Sequence, residues 1–139
     1  MKHVLMLIAF LIFAVPALAE PKPMMPKPIQ FAAGKSSAKV AGGVIRADRD
    51  IYSLGARAGQ KMTVRISSVE NNAVFQLYPP GATATRNDEG IVEVTGTALP
   101  GADGDTMTWT GRLPATGAYL IEVGGTRGNA SYELTVTIE

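Results

Sequence analysis

Three groups of residues in this chain have types and spacings that could do chemistry. Asp48, Asp50 and Tyr52 fall at alternate positions, so on an extended strand they share one side. Two carboxylates fall short of the six or more oxygens that Ca²⁺ takes. The simpler reading is that Asp50 caps a turn and Tyr52 packs inward with its hydroxyl bonded at the rim. Glu89 and Glu93 are acids of the kind glycosidases pair, but a Gly-rich loop cannot fix the separation that such chemistry needs. Arg127 stands between Gly124-Gly125-Thr126 and Gly128-Asn129, residues that favour a tight hairpin tip. It is either a solvated turn arginine or a rigidly presented cation that could enter a carboxylate-lined cleft. Arg49, with Lys61, Arg65 and Arg112, falls on the polar side of its strand, as part of a basic patch or as protection for a sheet edge.

What is missing narrows the chemistry further. The chain has no Cys, and its only His is His3. That removes thiol catalysis, Cys- or His-ligated metals, and Ser-His-Asp triads. The residues therefore predict a non-enzymatic binding protein with no metal and no cofactor.

Residues 1–19 carry an address. Lys2 and His3 precede an apolar run of about twelve residues, Val4 to Val15, followed by Pro16 and Ala17-Leu18-Ala19. A basic start, an apolar middle and a small-x-small end make a secretory signal peptide, with cleavage expected after Ala19. The run is shorter than the ~20 residues that span a bilayer, so no stable membrane insertion is expected. The expected location is the periplasm. Residues 20–139 would then fold in an oxidising compartment without disulfides, on their core alone. With Lys2 removed, twelve bases face twelve acids, so no overall field favours nucleic acid. Residues 20–47 are mainly basic, and 86–105 mainly acidic.

The elements that must position these groups read as strands. Residues 20–30 contain Pro21, Pro23, Pro26 and Pro28, and predict a polyproline-like linker that holds the domain away from its neighbours. From residue 31 to 139, short alternating runs are separated by turn residues, the all-β pattern. Strands are predicted at 37–45, 51–54, 61–68, 73–78, 91–94, 106–113, 119–123 and 132–138. A bulge is expected at Gly42-Gly43, and a long excursion at 82–104. The predicted fold is an all-β, antiparallel two-sheet sandwich, jelly-roll-like, with about eight strands. Trp109, Tyr119, Phe75 and Tyr132 would fill much of its core. The sequence does not set an oligomeric state.

Four segments occur together in a known order. They are Gly42-Gly43 with Asp48-Arg49-Asp50-Ile51-Tyr52, then Ala58-Gly59-Gln60-Lys61-Met62-Thr63-Val64, then Ala73–Tyr78, and last Leu113-Pro114-Ala115-Thr116-Gly117-Ala118-Tyr119 running on to Leu134. Together they resemble the pre-peptidase C-terminal type of β-sandwich over residues 36–138. In size and layout the chain is most similar to the periplasmic inhibitors of goose-type lysozyme, which share the Ser-Ser-Ala start of Ser36-Ser37-Ala38 and a pair like Thr126-Arg127. The loop after Arg127 is shorter and less basic here, and residues 82–104 have no clear counterpart. The resemblance implies a protein that plugs a goose-type lysozyme's active-site cleft. Its contacts would be Arg127, Thr126 and Asn129, with Arg49, Asp50 and Tyr52. The alternative is a stand-alone module that binds cell-wall glycan or another envelope protein. A glycan module should expose aromatic platforms, whereas Trp109 falls in an inward alternation.

Overall fold

A computed structural model describes residues 13–139, so most of the expected signal segment lies outside the described residues. Eleven strands follow in order: β1 Lys22–Pro23, β2 Lys27–Pro28, β3 Ser37–Val44, β4 Arg49–Ala56, β5 Lys61–Ser68, β6 Ala73–Tyr78, β7 Thr83–Arg86, β8 Val92–Thr95, β9 Thr108–Arg112, β10 Gly117–Gly125 and β11 Ala130–Ile138. There is no α-helix among the described residues, and hence none long and apolar enough to cross a membrane.

Alternation explains the layers. In β5, Met62, Val64 and Ile66 are buried while Lys61, Arg65 and Ser67 are exposed. In β11, Tyr132, Leu134, Val136 and Ile138 are buried in the same rhythm. A side-chain period of two gives each sheet one apolar face, and two such faces must meet. They do so as a four-stranded sheet β2-β4-β10-β6 packed on a four-stranded sheet β3-β11-β5-β9. Every pairing within these sheets is antiparallel except the short β2–β4 contact. Tyr119, Phe75, Met62 and Leu77 are the largest fully buried side chains. Each such side chain contributes about 1.5–3 kcal/mol through burial alone. The Tyr119 hydroxyl also donates to the Ala115 carbonyl at 2.6 Å and accepts from the Ala115 N–H at 3.2 Å, which holds the turn before β10.

Residues 82–104 are more regular than expected. β7 and β8 form a hairpin, and β1 adds a third strand to it. This small sheet covers the outer face of β4, β10 and β6, where Ile51, Tyr78, Ala84 and Leu120 make a second apolar cluster. Beyond it, Leu99 and Ala102 enter the main core. The Leu99 N–H donates to the Leu77 carbonyl, and the Leu77 and Phe75 N–H groups donate to the carbonyls of Ala102 and Thr106, which covers the free edge of β6. Thr106 and Met107 therefore precede β9 as an edge connection. Trp109 is only partly buried, and its Nε1–H donates to the Pro100 carbonyl at 2.9 Å.

The proline-rich segment is not a free spacer. β1 pairs with β7 and β2 runs parallel to β4, while Ile29 is buried in the main core. A proline cannot donate to a ladder but can lie at a sheet's edge, where these short pairings are found. Lys27 adds a charge contact: its Nζ donates to Asp50 Oδ1 at 2.7 Å and lies 5.7 Å from the centre of the Tyr52 ring. Tyr132 Oη donates to Asp50 Oδ2 at 2.5 Å, so the 2.6 Å bond between the two tyrosine hydroxyls has Tyr52 as donor. The result is a polar chain, Tyr52 to Tyr132 to Asp50 to Lys27, across the side of the sandwich where β3 passes into β4. Asp50 raises the Lys27 pKa by accepting its hydrogen bond.

This chain also accounts for Gly42. No bulge occurs there, since β3 pairs with β11 residue by residue from Ser37 to Val44. A Cβ on Gly42 would stand 2.5 Å from Tyr132 Oη and 2.9 Å from Tyr52 Oη. Gly42→Ala should therefore cost about 1–3 kcal/mol through overpacking, read as a lower urea midpoint at unchanged slope. Gly43→Ala should be near neutral, because its Cβ would meet nothing nearer than 3.6 Å.

Alkaline pH tests the same packing. Burial, with Asp50 as hydrogen-bond acceptor, raises the Tyr132 pKa, and burial beside Glu122 raises Tyr78 to about 12. A raised folded-state pKa gives stability that is complete below the unfolded value of ~10 and declines above it. Stability should accordingly fall from about pH 10 toward 12. Tyrosinate absorbance at these two residues should lag behind that of free tyrosine; ordinary titration of all four would refute this.

Candidate functional site

Three loops meet at one end of the sandwich: 45–48 between β3 and β4, 69–72 between β5 and β6, and 126–129 between β10 and β11. The strand directions require it, because β4, β10 and β6 are antiparallel neighbours in one sheet, as are β3, β11 and β5 in the other. Asn72 joins two of the loops. Its side-chain amide donates to the Asn129 carbonyl at 3.0 Å, and its own carbonyl accepts the Thr126 N–H at 2.9 Å. Asn129 joins the third, accepting the Arg46 N–H on Oδ1 at 2.8 Å. Arg127 is exposed, and its Nη2 donates to the Glu70 carbonyl at 2.9 Å. The arginine at the hairpin tip is thus tied to a neighbouring loop.

Backbone strain is concentrated at this same end. Ala47 at φ 65°, Glu70 at 66° and Asn71 at 51° are the non-glycine residues with left-handed backbones among the described residues. For an L-residue this conformation costs about 1–2 kcal/mol, least for Asn, and persists only where surrounding structure imposes it. Ile45 and Val69 are exposed here too, at 66% and 82%. Arg46 and Arg127 supply the positive charge.

The expected contact residues divide in two. Arg127, Thr126 and Asn129 are together on one exposed loop. Arg49 is adjacent, paired in register with Gly124, and its side chain lies over that glycine, where a Cβ would stand 2.7 Å from Arg49 Nε and displace the guanidinium. Arg49 is half-buried and 3.6 Å from Glu122 Oε1. It lines a groove of about 280 Å³ with Gln76, Asp105, Glu122 and Thr126. Asp50 and Tyr52 lie behind this surface. Tyr52 is 4% exposed and Asp50 is committed to Tyr132 and Lys27, so both support the end from within. Asp48 faces away toward Arg86, 3.1 Å from its Nη2.

Arg46, Ala47 and Asn72 are not legible in the sequence as members of this end. There, Arg46 counts only toward a basic segment, and Asn72 only as a turn former. The Asn71-Asn72 pair is the available signal, because Asn both tolerates left-handed backbone and bonds to neighbouring main chain.

No family model and no curated protein matches the sequence. Solved structures do. The periplasmic inhibitor of g-type lysozyme from Aeromonas hydrophila, PliG, is 34% identical, with a TM-score of 0.61, over 85% of this chain and 99% of its own. PliG from Salmonella Typhimurium is 28% identical at a TM-score of 0.57, over 84% of this chain and 100% of its own. The pre-peptidase C-terminal domain of Bacillus anthracis collagenase shares the fold at 14% identity and a TM-score of 0.55, over 85% of this chain and 100% of that domain. At that identity and coverage of the Aeromonas protein, on a sandwich of the same architecture, the chain belongs to the PliG family of periplasmic g-type lysozyme inhibitors.

Proposed function

We propose that this protein is a periplasmic, non-enzymatic inhibitor of goose-type lysozyme, and that it docks through the end carrying Arg127. The observation that carries this reading is the construction of that end. An exposed arginine is held by a hydrogen bond within a network that ties three loops together, and those loops carry three left-handed residues. Glycosidases of the lysozyme kind work with carboxylates in a cleft. A guanidinium meets a carboxylate with two parallel hydrogen bonds, and a group seated there displaces the water and substrate that turnover requires. Preordering the loop lowers the entropic cost of binding. Thr126 and Asn129 flank the contact, and Arg49 adds charge at the groove beside it. Asp50 and Tyr52 hold the strands beneath.

The signal segment at residues 1–19 and the family membership both support a periplasmic location. A protein partner is favoured over a glycan. From residue 20 onward every aromatic ring is buried or partly buried, so none offers a sugar a flat exposed platform.

Purified protein lacking residues 1–19, titrated into goose-type, chicken-type and invertebrate-type lysozyme assays, should inhibit the goose type selectively. No inhibition of any class at micromolar protein would sink the proposal. Arg127→Ala should weaken inhibition by about tenfold or more, roughly 1.4 kcal/mol of binding. An unchanged inhibition constant would remove Arg127 from the contact. Arg127 is exposed, so the thermal midpoint of this variant should stay within about 1 °C of the parent.

A further inference from the structure

The end of the sandwich opposite Arg127 carries a cavity of its own. β3 begins there at Ser37, β4 finishes there at Ala56 and β11 finishes there at Ile138. The cavity measures about 480 Å³, within the range of small-molecule sites. Phe31, Ala56 and Ile138 give it apolar surface, and Lys35 and Arg57 give it charge. No carboxylate lines it, and neither cation has an ion-pair partner among the described residues. Glu139, the neighbour of Ile138, is paired with Lys61 at 3.5 Å.

Local structure fixes the main chain at both cations. The Lys35 N–H donates to the Ala32 carbonyl at 2.9 Å, across a turn with Gly34 at φ 74°. The Arg57 N–H donates to Gln60 Oε1 at 2.7 Å, and the Gln60 N–H donates back to the Arg57 carbonyl at 3.2 Å. The cavity also exposes a short piece of strand edge. The Ile29 N–H donates to the Ser53 carbonyl, so Ser53 and Gly55 both turn their main-chain groups away from β10. The proline-rich strap leaves β4 after Ile29, and the Gly55 N–H has no hydrogen-bond partner among the described residues. A Cβ on Gly55 would meet nothing within 4 Å, so the space beside it is open.

We propose that this cavity binds an aliphatic monocarboxylate of the fatty-acid class. Its head group lies among Lys35, Arg57 and the Gly55 N–H, and its chain lies over Phe31 and Ile138. The chemistry of the lining selects this class. A neutral hydrocarbon leaves two cations and a main-chain donor unanswered. A small hydrophilic anion leaves the apolar surface uncovered. A guanidinium meets a carboxylate with two parallel hydrogen bonds, and a main-chain N–H adds a further charge-assisted bond. The open edge is too short for an extended peptide to pair along, because the next outward main-chain groups, those of Arg57, are already bonded to Gln60. The cavity shares no residue with the Arg127 end, so the inference is independent of what Arg127 binds.

Calorimetric titration of decanoate into the chain without residues 1–19 tests it. Decanoate should bind with a dissociation constant of about 0.1–1 mM, the affinity expected for a ligand of this size. Acetate has the head group alone, and decyltrimethylammonium has the chain with the opposite charge; each should bind about tenfold more weakly or worse. Arg57→Glu and Lys35→Glu should each weaken decanoate by about fivefold or more. Gly55→Leu fills the open space and should abolish binding. Lys35, Gly55 and Arg57 are exposed, so circular dichroism and thermal midpoint of these variants should match the parent. In the parent, decanoate should shift the amide resonances of Gly55 and Arg57 most. No binding up to about 5 mM decanoate overturns the proposal. So does binding that acetate or decyltrimethylammonium equals, or that all three variants leave unchanged.

Discussion

The polar chain from Tyr52 through Tyr132 and Asp50 to Lys27 is the contact on which the side of the sandwich depends. Two tyrosines from facing sheets bring their hydroxyls into an otherwise apolar interior. A buried hydroxyl without a partner costs several times what a satisfied one contributes. Here each is satisfied in turn, and the final charge on Asp50 is met by a lysine that reaches in from outside. The rings meet edge to face at 88°, a favoured aromatic geometry. Gly42 must be small because those hydroxyls occupy its side-chain space. The N-terminal segment stays on the molecule because Asp50 offers it a charge and β4 offers it an edge.

This arrangement separates two kinds of charged residue. Asp50 is used up internally, as are Asp48 with Arg86 and Glu122 with Tyr78 and Arg49. Arg127 and Arg46 are turned outward, and only their main-chain or loop contacts are fixed. A chain with nearly balanced charge can therefore present a local positive end without a strong overall field. Loops tied to one another by hydrogen bonds on a packed sandwich give that end a defined surface.

The treatment of sheet edges tells a similar story. A proline-rich strap and the irregular run 99–106 are poor formers of regular structure, yet both serve to cover strands. Each is anchored by a few apolar side chains, Ile29 in one case and Leu99 with Ala102 in the other. Irregular segments do this without creating a new open edge. Among the described residues, β3 alone of the long strands of the two main sheets has no strand paired along one side.

Much of the sandwich is legible in the sequence because strand burial has a period of two and turn residues punctuate it. Met62-Val64-Ile66 and Tyr132-Leu134-Val136-Ile138 mark their strands, faces and core without any knowledge of pairing. The signature around Leu113–Tyr119 points to a family. β7 escapes such a reading because Thr83–Arg86 has a single buried residue, Ala84, and no alternation to detect. The strap reads as a free linker because proline content describes local conformation and says nothing of what the segment lies against. The candidate site is legible only in part. Arg127 can be placed at a hairpin tip, since local turn chemistry decides that. Its partner Glu70, and Asn72 and Arg46, which bond to Thr126 and Asn129 of the same hairpin loop, come from two other loops, and only the antiparallel register brings them within hydrogen-bonding reach. Asp50 and Tyr52 carry types suited to a binding surface, yet the packing of β4 on β11 turns them inward. Sequence alone determined which residues alternate and where the chain turns, because those are properties of neighbours along the backbone. Which side chains share an end, and which are consumed inside, was decided by contacts between residues far apart in sequence.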